Sequence, residues 1–126
     1  MSTHPFRTAV ESGDMEAAIA MLADDVVFRS PVVFKPYEGR DAVAPILRAV
    51  AQTFEDFRYV KELGDAGDHA LVFHARVGDK ELDGVDFLVT DDAGRITDFM
   101  VMVRPLSASI AVAEAMGRRL AEAGAL

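Results

Sequence analysis

The chain has 126 residues, 51% of them apolar, and no cysteine. That length suits a single domain with a real core, and the absence of thiols excludes disulfides, thiolate metal sites and cysteine nucleophiles. A net charge of −8, from 21 acidic and 13 basic residues spread along the chain, argues against nucleic acid and anionic membrane surfaces, which call for clustered Lys and Arg. No apolar run nears the roughly 18 to 20 residues of a membrane span. Met1-Ser2-Thr3-His4-Pro5 has neither the basic nor the apolar part of a secretory signal, so a cytoplasmic protein is expected.

In chain order, Pro5 suits a helix first turn, with Phe6, Ala9 and Val10 on its apolar side and Ser12-Gly13 as its end. Asp14 is an N-cap for a second short helix, which buries Ala18, Met21 and Leu22. Val26-Val27-Phe28 is a β-branched and aromatic run, read as a strand that Pro31 ends. Residues 31–39 are irregular but apolar, as a segment that covers something would be. A third helix is expected over about Asp41–Phe54, since Val43, Ile46, Leu47, Val50 and Phe54 share one face. Pro45 should distort its first turn.

The period then changes to two. Four strands are expected, at about Phe57–Leu63, Ala70–Val77, Leu82–Thr90 and Ile96–Arg104, with turns at 64–67, 78–79 and 91–94. Short spacers make them antiparallel neighbours, and helices followed by a meander give an α+β class. A last helix is expected over Ser107–Ala123. Both faces of the meander carry large apolar groups, so both should be covered, one of them by the last helix or by a second copy of the chain. The expectation is a homodimer through the sheet, with Leu71, Phe73, Phe87, Met100 and Met102 in the contact.

Asp86, within Gly84-Val85-Asp86-Phe87-Leu88-Val89, is the residue most suggestive of chemistry, because an ionised carboxylate is costly to bury in a strand. His74 on the preceding strand is expected on the same face, brought near Asp86 by the hairpin around Gly78-Asp79-Lys80-Glu81, so that the two form an acid–base pair suited to neutral pH. Strand parity then lines a pocket with Phe28, Phe54, Val72, Leu88, Phe99 and Val101, together with Phe6 and Ile19 or Leu22. Ser30 and Tyr37 are expected at its mouth. Histidines at 4, 69 and 74 lack metal-ligand spacing, and no phosphate or dinucleotide loop is present. Neither metal nor cofactor is expected.

Several segments, taken together and in order, resemble the nuclear transport factor 2-like superfamily, and its SnoaL-like, polyketide cyclase-like branch in particular. They are residues 9–17 (Ala9-Val10-Glu11-Ser12-Gly13-Asp14-Met15-Glu16-Ala17), 22–28 (Leu22-Ala23-Asp24-Asp25-Val26-Val27-Phe28), 37–43 (Tyr37-Glu38-Gly39-Arg40-Asp41-Ala42-Val43), and Val85-Asp86-Phe87-Leu88-Val89 leading to Gly94-Arg95-Ile96. The resemblance implies one cone-shaped domain over 1–126, with N-terminal helices packed on a strongly curved, mostly antiparallel sheet. It does not imply one activity, since such folds host many. The ketosteroid isomerases of this superfamily have an oxyanion-hole Asp at a place like that of Asp86. Their general-base Asp would fall at Ser30-Pro31 and their donor Tyr near Phe6, so their activity is not expected. The SnoaL-like cyclases are similar in pairing a strand Asp with a nearby His. Two readings stay open: an acid–base enzyme of cyclase or isomerase type acting on a small apolar molecule, and a non-catalytic dimeric binding or scaffold module.

Overall fold

A computed structural model describes residues 3–124. Helix α1 (Pro5–Glu11) and helix α2 (Met15–Ala20) lead into strand β1 (Leu22–Arg29) and the short β2 (Tyr37–Glu38). Helix α3 (Arg40–Thr53) follows, then β3 (Glu55–Asp65), β4 (Asp68–Val77), β5 (Lys80–Thr90), β6 (Ile96–Arg104) and helix α4 (Leu106–Glu122). The six strands form one sheet in the order β2-β1-β6-β5-β4-β3. It is antiparallel except where β1 runs parallel to β6.

Local chemistry accounts for most boundaries. The Asp14 side chain accepts a hydrogen bond from the Ala17 N–H at 3.0 Å, capping α2. At α1 the cap is a ring nitrogen: His4 Nδ1 accepts from the Phe6 N–H at 3.1 Å. Pro45 offers no N–H to the preceding turn, yet α3 runs unbroken from Arg40 to Thr53. The lost bond belongs to the Asp41 carbonyl, which is exposed and can be served by water.

β1 begins four residues before the expected Val26 and takes in Asp24 and Asp25. Both point to solvent, while Leu22, Val26 and Phe28 are buried. The segment at 37–38, expected to be irregular, adds a short edge strand against Val27 and Phe28.

The largest difference from expectation is the facing of β4. Its hairpin with β5 turns on Gly78-Asp79, with Val77 opposite Lys80 and Gly78 at φ 60°. A two-residue turn pairs even-numbered residues with odd-numbered ones. Asp86 therefore stands opposite Leu71, and His74 opposite Asp83. Leu71, Phe73 and Ala75 point inward and are buried, so Leu71 and Phe73 lie under the protein's own helices and not on an outer contact surface. Val72 and His74 point outward. On β5 and β6 the expected facing holds, with Leu88 and Phe99 inside and Phe87 and Met102 on the exposed side.

Inside the sheet, Phe73 and Gly84 form a cross-strand pair. A Cβ on Gly84 would lie 2.1 Å from Phe73 Cζ, so the ring occupies the space a side chain would take. Helices α3 and α4 pack against each other over this inner face, with Val43, Leu47, Val112 and Met116 in the core.

Candidate functional site

Between the helices and the inner face lies a cavity of about 280 Å³. Its walls are aromatic and aliphatic: Phe6 and Val10 from α1, Phe28 from β1, Leu47 and Val50 from α3, and Phe54 just past its end. Phe57, Phe73, Phe99 and Val101 come from the sheet, and Val112 from α4. The volume falls just below the roughly 300 to 1,000 Å³ usual for ligand pockets.

Two acidic residues reach it, Glu11 and Asp86. Glu11, the last residue of α1, is exposed and pairs with Arg7 at 3.2 Å. Asp86 is only 6% exposed. Its Oδ2 accepts a hydrogen bond from the Tyr59 hydroxyl at 2.7 Å. Among the described residues no other group bonds to this carboxyl, which leaves Oδ1 without a protein partner on a side chain that lines the cavity.

The electrostatics follow from that placement. Burial pushes the Asp86 carboxyl up to about 7, and the Tyr59 hydrogen bond, which favours the ionised form, opposes the rise only in part. Burial first, and then the neighbouring carboxylate, hold the Tyr59 phenol above its usual range, so it stays protonated and acts as a donor. Asp86 can thus gain or lose a proton near neutrality inside an apolar chamber, which is what general acid–base chemistry needs.

Tyr59 is fixed by its neighbours. Phe57 meets its ring edge-on at 5.0 Å, Phe73 lies perpendicular at 6.3 Å, and the Arg7 guanidinium sits 5.9 Å from the ring centre. Its inward direction depends on a register shift in β3. Glu62 pairs with Leu71 and Lys61 with Val72, but Tyr59 pairs with Phe73, the irregularity falling at Val60. An extra residue of this kind turns the chain's facing by one position.

His74 does not join this site. Its Nδ1 lies 3.1 Å from Asp83 and its Nε2 3.2 Å from Glu81, on the opposite face of the sheet from Asp86. Hydrogen bonds from the ring to the Asp83 and Glu81 carboxylates favour its protonated form and raise its pKa. The pairing of Asp86 with His74 expected from sequence is therefore not formed, and the hydrogen-bond partner of Asp86 is Tyr59. Of the expected lining residues, Phe6, Phe28, Phe54, Phe99 and Val101 reach the cavity. Leu88, Ile19 and Leu22 are core residues behind it, and Val72 faces out.

Tyr37 packs against Phe28 at 6.4 Å and does not line the cavity. Ser30 also misses it: its hydroxyl accepts from the Val32 and Val33 N–H groups, while the adjacent Pro31 touches the wall. The residues that sequence reasoning missed include Tyr59, Phe57, Phe73 and Glu11, and the wall residues Val10, Leu47, Val50 and Val112. The parity of the Gly78-Asp79 turn could have found Phe73. No sequence signal marks the bulge that turns Tyr59.

Comparison with known proteins agrees with this architecture. A steroid delta-isomerase from Pseudomonas aeruginosa is 45% identical, with a TM-score of 0.88 over 94% of this chain and 88% of that one. An uncharacterised protein with a cystatin-like fold from Silicibacter pomeroyi is 38% identical, with a TM-score of 0.87 over 94% and 86%. A putative SnoaL-like polyketide cyclase from Shewanella denitrificans, 14% identical with a TM-score of 0.64 over 86% and 92%, shares the fold alone. No curated protein matches significantly. The profile described as SnoaL-like domain matches residues 4–99, and with three quarters of its length so matched the chain belongs to the SnoaL-like family.

Proposed function

We propose that the chain takes a small, largely apolar molecule into this cavity and performs proton-transfer chemistry of isomerase or cyclase type on it, with Asp86 as the group that carries the proton. The observation behind this reading is the one deeply buried carboxyl among the described residues, lifted by burial to about 7, with one oxygen that no described group bonds, on a side chain lining an aromatic-walled space. The isomerase named for the 45% identical relative supports the same class. Against the same steroid chemistry, Ser30 uses its hydroxyl on the backbone and Phe6 presents a ring with no donor.

Native mass spectrometry of the purified protein would identify what the cavity retains. Small cyclic and steroidal ketones, followed by ultraviolet absorbance for double-bond migration, give a first substrate panel. On a turned-over compound, Asp86→Asn should lower turnover roughly 10² to 10⁴-fold while binding persists. Unchanged turnover would remove Asp86 from the chemistry. Binding of panel members without turnover of any would favour a non-catalytic ligand-binding module.

We also propose a homodimer through the outer face of the sheet, where Val60, Phe87, Val89 and Met102 are exposed. Apolar groups gathered on one sheet face are uncommon on a monomer. Sedimentation at micromolar concentration should give a dimer that Phe87→Glu dissociates. A monomeric native protein would refute this assembly.

A further inference from the structure

We propose that Tyr59 is the positioning residue of this site, holding Oδ2 of Asp86 so that Oδ1 alone is presented to the bound molecule. The inference rests on the acid–base reading of Asp86 and assigns the oxygen and the residue that selects it. A carboxyl in a strand can turn about its last bond and offer either oxygen, and one short hydrogen bond from a fixed donor removes that freedom. The donor here has little freedom of its own. Its ring is walled by Phe57 and Phe73, and Arg7 lies over it. Arg7 is in turn held by Glu11 at 3.2 Å and by Glu62 at 3.4 Å.

The hydroxyl has a second consequence. Asp86 is otherwise surrounded by apolar groups, so Tyr59 supplies the only protein hydrogen bond, among the described residues, that favours the ionised carboxylate. A donor of this kind keeps the proton exchangeable near neutrality, where a bare buried acid would hold it more tightly. Tyr59 therefore fixes both the direction of proton transfer and the pH range in which it occurs.

The test needs no substrate. Asp carboxyl carbons are labelled with ¹³C, and the Asp86 signal is assigned by its loss in Asp86→Asn. Titration of the wild type should give a midpoint near 7, and Tyr59→Phe should raise it by roughly one to two pH units. A wild-type midpoint in the ordinary carboxylate range would defeat the acid–base reading itself. A wild-type midpoint near 7 that Tyr59→Phe leaves unmoved would defeat the positioning role alone.

Should Tyr59→Phe fail to fold, fluorination provides the second measurement. The chain has two tyrosines, so 3-fluorotyrosine incorporated into a Tyr37→Phe background labels only position 59. The more acidic phenol is a stronger donor and should lower the Asp86 midpoint. An unchanged or higher midpoint would overturn the proposal.

Discussion

Asp83 and Asp86 stand three residues apart on one strand, and the two sides of the sheet move them in opposite directions. Asp83 faces outward, where His74 lies at 3.1 Å and Arg104 at 2.8 Å, and these partners hold its carboxyl below the ordinary value. Asp86 faces inward among aromatic rings with one neutral donor, and burial lifts it to about 7. The outer cluster holds more charges at comparably short distances, yet water screens it. Charge density does not decide which of the two carboxyls is lifted toward neutrality. Desolvation does.

The largest expected effect comes from breaking the inner side of this contrast. The Asp86 pKa rises on folding from an ordinary 3.8 to about 7. Between these values the native state keeps a proton that the unfolded chain releases, so stability falls as pH rises through the interval and is level above it. Asp86→Asn keeps the shape without the ionisation. The variant should match the wild type near pH 4 and exceed it increasingly up to pH 7, by on the order of 4 kcal/mol at the plateau. Urea denaturation of both proteins from pH 4 to 8 measures the gap. A gap that does not grow with pH would mean that Asp86 is not desolvated.

A smaller effect is expected at Gly84, whose bare Cα lets Phe73 lie across the strand. The Phe73 ring already has Phe57 at 4.8 Å and Phe54 at 5.8 Å, so the open direction for its displacement is the cavity. Gly84→Ala should destabilise the fold by about 1 to 3 kcal/mol through overpacking and weaken ligand binding by shrinking the chamber. Chemical denaturation and calorimetric titration with any cavity ligand check the two halves. Full stability would show that the ring does not need this gap.

The same two faces show what could be learned from sequence. The α+β class followed from period, turn residues and alternation, and so did the face that Leu88 shares with Asp86 and the one that Phe99 shares with Val101. The family resemblance rested on residue segments, and the inward direction of Asp86 on taking its burial as a sign of function. The facing of β4 was also encoded, because a Gly78-Asp79 turn with Val77 opposite Lys80 forces residues of unlike parity together. Assigning His74 to the side of Asp86 ignored that constraint and inverted the whole strand. Tyr59 is a different case. Counting back from Asp65 opposite Asp68 without an irregularity would place Val60 opposite Phe73 and turn Tyr59 outward. The shift at Val60 reverses this, and a bulge leaves no mark in a pattern of alternating apolar residues.

The smallest effect is expected at His74, and it sharpens the comparison most directly. Its hydrogen bonds to Asp83 and Glu81 favour the protonated ring and raise its pKa. Such a group contributes its full stabilisation below the ordinary histidine value, and the contribution is lost as pH rises through the elevated folded value. His74→Gln should therefore lower stability slightly near pH 6 and not measurably above pH 9, since exposed pairs of this kind contribute little. It should leave both the Asp86 midpoint and any turnover unchanged, because the sheet separates the two side chains. Urea melts at the two pH values and the ¹³C titration of Asp86 in the variant provide the readings. A shift of the Asp86 midpoint in His74→Gln would mean that the two faces are electrically coupled, and the contrast between Asp83 and Asp86 would have to be explained by the outer cluster as well as by burial.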